Sequence, residues 1–148
     1  ETVKCVMGNS FWNFDVEDNA FVILQNQKGQ QASLHSSSTM WKHTFELTIA
    51  CTEGYMIVRG LLSKTGSYGR ETLTVGMRQF EDVSRALGNP AEESTTFDRD
   101  KSWELEVQEF VRYIEENKPV TQSSSQDALR VMEIIEAAYA DARRLRRD

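Results

Sequence analysis

The sequence predicts an α+β fold: an open, mostly antiparallel sheet of six or seven strands, then two C-terminal helices packed on one face of it. Three observations predict it. Apolar and polar residues alternate with period two through the first part of the chain. Turn residues punctuate that part at short intervals. From residue 101 onward the apolar spacing changes to the 3-and-4 pattern of helices. At 148 residues the chain is long enough for one domain with a sizeable core, burying about 68–70% of its unfolded surface.

Residues 2–7 form a first strand. Residues 20–27, AFVILQNQ, are rich in β-branched and aromatic types and are followed by the turn pair Lys28-Gly29. With 30–39, where Ala32 and Leu34 share a face, they make a hairpin. In 44–51 Phe45, Leu47, Ile49 and Cys51 alternate with Thr44, Glu46, Thr48 and Ala50. Thr52-Glu53-Gly54 turns the chain into 55–63. Gly66 to Gly69 is a loop, and 71–78 alternates again with Leu73, Val75 and Met77 on one side. Residues 93–97 add a short last strand. The opposite face carries Thr44, Thr48, Thr72 and Thr74, so it meets water or a partner.

The helical part follows. In 101–117 the apolar residues Trp103, Val107, Phe110, Val111 and Ile114 define one helix face. Asp100 or Ser102 caps its start, and Pro119 stops it. Residues 124–147 form the longest helix, with Ser123-x-x-Gln126 as a capping box. Its stripe is Leu129, Met132, Ile135, Ala138 and Tyr139, widened by Val131, Ile134, Ala142 and Leu145. Arg143, Arg144, Arg146 and Arg147 suit the negative end of the helix dipole.

Composition narrows the function. Apolar residues make up 39% and charged residues 27%, with a net charge of −6. All of that excess lies after residue 70. An acidic chain lacks the basic footprint of a nucleic-acid binder. No run reaches the roughly 18 apolar residues of a membrane span, and the first ten residues lack the build of a signal peptide. A cytoplasmic protein is expected. Cys5 and Cys51, the two cysteines, are too few for a disulfide framework or a zinc site. They read as small core residues rather than nucleophiles.

No phosphate-loop, dinucleotide, zinc-protease or C-x-x-C pattern is present, so no catalytic, cofactor-binding or metal residue is assigned. The candidates are binding residues. Trp41, Lys42 and His43 lie in the connection between two strands, where loops on a rigid scaffold carry contacts. An aromatic face beside a hydrogen-bonding ring suits a sugar or polyol, although Trp41 reads more readily as a core-edge tryptophan. Trp12, in the aromatic loop S-F-W-N-F-D with Phe14, is a further candidate, although both residues read more readily as core or interface. His35 reads as an ordinary strand histidine. Glu17-Asp18 reads as turn chemistry more readily than as an acid–base pair. Trp103 reads as core.

Four stretches carry a family resemblance. They are V-E-D-N-A-F-V-I-L at 16–24 with Gly29 in the turn after it, L-T-I-A-C-T-E-G-Y-M-I-V at 47–58, W-E-L-E-V-Q-E-F-V-R-Y-I-E-E-N-K-P-V at 103–120, and S-x-x-D-A-L-R-V-M-E-I-I-E-A-A-Y at 124–139. Together they resemble the C-terminal domain of the glucose–fructose oxidoreductase, inositol dehydrogenase and rhizopine-catabolism family (Gfo/Idh/MocA), over nearly the whole chain. The second stretch is similar to the family's I-x-G-x-x-G-x-I hairpin, with Cys51 at a usual glycine.

The resemblance implies a Rossmann domain holding NAD or NADP, with a Glu-Lys-Pro lysine, an aspartate and a histidine for proton transfer. It implies that a second domain, the one resembled here, walls the substrate site and builds a dimer through its outer sheet face. Lys118-Pro119 follows Asn117 and is not that lysine motif. Residues 1–148 are therefore expected to be a single substrate and dimerisation domain, with the Rossmann domain absent. The expected parent is an NAD(P)-dependent dehydrogenase of a sugar, nucleotide sugar or cyclitol. This chain alone would bind no cofactor and be inactive. Its expected partners are a second copy and, in the full-length protein, a small polyol. A free-standing interaction domain using the open sheet face is the alternative.

Overall fold

The computed structural model describes residues 2–78 and 90–145. Seven strands precede two helices: β1 Thr2–Gly8, β2 Asn19–Gln25, β3 Gln31–Ser37, β4 Glu46–Ala50, β5 Gly54–Arg59, β6 Glu71–Met77, β7 Glu92–Phe97, α1 Ser102–Glu115 and α2 Ser125–Leu145. The α+β order is as expected. The single sheet is not: the strands form two antiparallel sheets, β1-β2-β3 and β4-β5-β6-β7. The chain divides into two compact units, Glu1–Met40 with Tyr113–Asp148, and Trp41–Arg112.

In the first unit the β2–β3 turn forms where Lys28-Gly29 predicts it. Asn26 accepts from the amides of Lys28 and Gln30 through its side chain, and Gly29 takes a φ of 79°. The rows Cys5–Val22–Leu34 and Val3–Leu24–Ala32 put apolar side chains on one face. The C-terminal half of α2 lies on β1 there. Cys5, Ala138 and Ala142 are its buried centre, with Val3, Met7 and Val22 packed against them. The small side chains allow close approach, and the seam is tied at its edge. Asp141 accepts from the Cys5 amide at 2.9 Å and from Lys4 Nζ at 3.1 Å.

In the second unit one face of the sheet carries Leu47, Ile49, Met56, Val58, Leu73 and Val75. The other carries Thr48, Thr72, Thr74, Ser94 and Tyr55. The expected hydroxyl-rich face is therefore present on this sheet. Tyr55 lies across Gly76, where any side chain would collide with its ring, and donates to Glu92 of β7 at 2.6 Å. That hydrogen bond, with burial and the negative charge of Glu92 adding to it, pushes the Tyr55 phenol up.

Three expectations about packing are corrected. Among the described residues the buried apolar side chains are only Cys5, Ala20, Ala138 and Ala142, so the core is small. Helix α1 buries none of its residues; the Trp103 expected in the core is 76% exposed. An amphipathic stripe states that a helix has a face to bury, not what will cover it. Cys51 is exposed because it lies in the β4–β5 turn, its amide bonded to Gly54 O, rather than in a strand.

The helix ends also differ in detail. Asp100 caps α1, accepting from the Ser102 amide and hydroxyl. Before Pro119 is reached, α1 ends in a left-handed Asn117 at φ 49°. The Lys118 amide returns to Tyr113 O and the Asn117 amide to Ile114 O, a Schellman closure. The capping box of α2 sits one residue later than predicted: Ser124 and Asp127 exchange hydrogen bonds, and Ser123 is left-handed. Arg146 and Arg147 lie outside the described residues. No described helix is long and apolar enough to cross a membrane.

Candidate functional site

His43 leads from Trp41 toward β4. Its Nδ1 shares a 2.9 Å hydrogen bond with Ser67 Oγ, and its ring lies 5.2 Å from that of Tyr68. Ser67 continues to Thr65 Oγ1 at 2.9 Å, and Thr65 to Ser63 Oγ at 3.3 Å. This loop can fold back because Gly60, Gly66 and Gly69 take φ values of 74°, 64° and 77°. The result is an exposed row of hydroxyls ending on an imidazole and a phenol. Trp41, expected at a core edge, is instead 87% exposed. Lys42 is exposed beside it.

Such a cluster can exchange hydrogen bonds with several hydroxyls at once, because each Ser or Thr both donates and accepts. The residues that the sequence reading missed are Ser67, Tyr68, Thr65 and Ser63. Their signal was a hydroxyl-rich S-K-T-G-S-Y run between two glycines.

Trp12 belongs to the first unit. Its indole donates to Ser38 O at 3.0 Å, and it stacks on Phe14 and meets Phe11 edge-on. All three rings are exposed, so the core alternative for them is set aside. Asp18 organises this loop. It is 4% exposed and accepts from the amides of Phe11 and Trp12 at 2.8 and 3.1 Å. Burial opposes its charge, but the Trp12, Phe11 and Asn19 hydrogen bonds prevail and hold the carboxyl below its ordinary range. Asp18 thus bonds backbone amides, but across six and seven residues rather than within its own turn. His35 stacks flat on Phe21, centroids 4.0 Å apart.

Asp141 is likewise held low, by the Cys5 amide first and then by Lys4. For both aspartates the folded pKa lies under the unfolded one. Their contribution to stability is complete above about pH 4 and is lost as pH falls through the folded values. Asp18→Asn should lower Tm at pH 7 and flatten the acid limb of a Tm-against-pH profile. An acid limb of unchanged steepness would show that Asp18 is not linked to folding.

A cavity of about 260 Å³ lies beside α2, lined by Met7, Asn9, Asp15, Val16, Glu17, Tyr139, Ala142 and Arg143. Tyr139 donates to both oxygens of Glu17, at 2.7 and 2.8 Å, which pushes its phenol up. It is therefore poorly placed to act as a base. Burial also raises the Cys5 thiol, away from nucleophilic chemistry. Among the described residues no group of three His, Cys, Asp or Glu side chains could hold a metal ion.

No family model and no curated protein matches the chain. Two solved structures do. A candidate oxidoreductase from Bacteroides fragilis matches 96% of this chain at 18% identity and a TM-score of 0.64. A candidate oxidoreductase from Yersinia pestis matches 97% at 16% identity and a TM-score of 0.62. The chain covers 42% of each, so it spans less than half the length of the structures it resembles.

Proposed function

We propose that this chain is the substrate-side domain of a longer NAD(P)-dependent oxidoreductase acting on a hydroxyl of a sugar, nucleotide sugar or cyclitol, of the Gfo/Idh/MocA type. The observation that carries the reading is the fold match, nearly complete on this chain and under half complete on two candidate oxidoreductases. The dinucleotide belongs, in this reading, to the part of the polypeptide outside the chain. The chain's own contribution is binding. The His43–Ser67–Thr65 row offers hydroxyl partners to a polyol, and the exposed Trp41 face offers a surface for its C–H groups. Lys42 is a further contact in the same row, and Trp12 is proposed as a separate sugar contact on the first unit. The hydroxyl-rich face around Thr48, Thr74 and Ser94 is assigned to a second copy of the chain.

The test uses the complete gene product alongside this chain. The complete product is expected to bind NAD(H) or NADP(H) and to sediment as a dimer; the chain alone should bind neither nucleotide. Tight nucleotide binding by the chain would overturn the division of labour. In the complete enzyme His43→Ala should raise KM about 10-fold with kcat little changed, the mark of binding shared by ground and transition states. An unchanged kcat/KM would remove His43 from the site. The rival reading, a free-standing interaction domain, is favoured by the exposed α1 stripe. It requires a gene product with no second folded region.

A further inference from the structure

Val131, Ile135, Ala138 and Ala142 follow one side of α2 at spacings of 4, 3 and 4. The two alanines are buried against β1. The other two are not: Val131 and Ile135 are 55% and 41% exposed, with Leu129 and Met132 beside them at 50% and 60%, and every residue from Ser125 to Glu133 is exposed. Helix α2 has 21 residues, about 31 Å, while β1 has 7, about 23 Å. The partners of α2 on the sheet side, Lys4, Cys5 and Glu17, all meet it at Tyr139 or Asp141. One continuous apolar stripe is thus covered over half its length and bare over the other half.

We propose that the N-terminal half of α2 is the docking face for the part of the polypeptide outside this chain, which meets it with an apolar surface of its own. This inference rests on the reading of the chain as one domain of a longer oxidoreductase. Two observations choose that occupant. The solved structures that share the fold are more than twice as long as this chain, which covers 42% of them. The bare patch is also small. Four half-exposed side chains fall well short of the roughly 800 Å² per partner that a free dimer needs. A tethered domain docks on less, because the connecting chain holds it at an effective concentration on the order of millimolar. The polar flank is already neutralised by the exposed Arg130–Glu133 pair, so burial of the stripe strands neither charge.

The test is hydrogen exchange of the α2 amides from Leu129 to Ile135, in the complete gene product and in this chain alone. Exchange should be about 100-fold slower in the complete product. It should return to the chain-alone rate in a Met132→Lys, Ile135→Lys variant. Because both side chains are exposed here, that variant should leave the melting of the isolated chain unchanged. Equal exchange in both proteins would overturn the inference, as would protection in the chain alone that grows with its concentration, which assigns the face to a second copy. A complete product with no second folded region overturns the functional reading itself. A second region with α2 unprotected overturns this inference alone.

Discussion

Gly60→Ala is expected to destabilise the second unit by about 3 kcal/mol or more, read as a fall in Tm. Two independent costs add there. Gly60 has a φ of 74°, a left-handed backbone that costs an L residue roughly 1–2 kcal/mol. A Cβ at this position would also fall on the Arg70 carbonyl, which is backbone and cannot swing away. Relief would require parting the start of β6 from the end of β5, or breaking the 3.0 Å bond from the Gly60 amide to Phe45 O. Gly29→Ala is the control. Its φ is 79°, but a Cβ there meets nothing within 4 Å, so only the conformational cost applies. Equal losses for the two variants would show that the contact with Arg70 carries no energy.

The same glycines show what could be read from the chain and what could not. Gly29 and Gly54 were legible as turns because a turn is a local event, settled by residues adjacent in sequence. The strands and α2 were legible for the same reason: alternation and 3-and-4 spacing are local. The split into two sheets was not legible. Period two says that 31–37 and 46–50 are strands but is silent on whether they pair, and that choice lies in the geometry of residues 38–45. The exposure of Trp103 and Trp41 was not legible, because apolar character records what a side chain favours, while exposure depends on which element arrives to cover it. The site divides along the same line. His43 stood out as an imidazole in a connection. Ser67 and Tyr68, some 24 residues away, become its partners only through the folding-back of a loop. Asp141 reached the Cys5 amide across an interval of 136 residues, with no signal in sequence at all.

Ala138→Asp should be the most damaging change in the first unit, costing about 3 kcal/mol or more at neutral pH. Ala138 is 4% exposed and sits with Cys5 and Ala142 at the centre of the α2–β1 seam. A carboxylate there would lose its water among Val3, Met7 and Val22. Lys4, next to Cys5 on β1, is already engaged by Asp141, and Asp141 and Glu17 would repel the new charge. The substituted group would therefore have a folded pKa above its unfolded value near 4. Its charge penalty is then full at neutral pH and shrinks as pH falls and the group protonates. Ala138→Leu separates charge from volume. Overpacking should cost about 1–3 kcal/mol, by an amount that does not change with pH. Thermal melts of both variants at pH 7 and pH 4 make the comparison. If Ala138→Asp melts with the parent chain at pH 7, the seam is open to water and the packing of α2 on β1 described above is wrong. If its deficit is the same at both pH values, the loss is one of shape alone and the buried-charge argument fails.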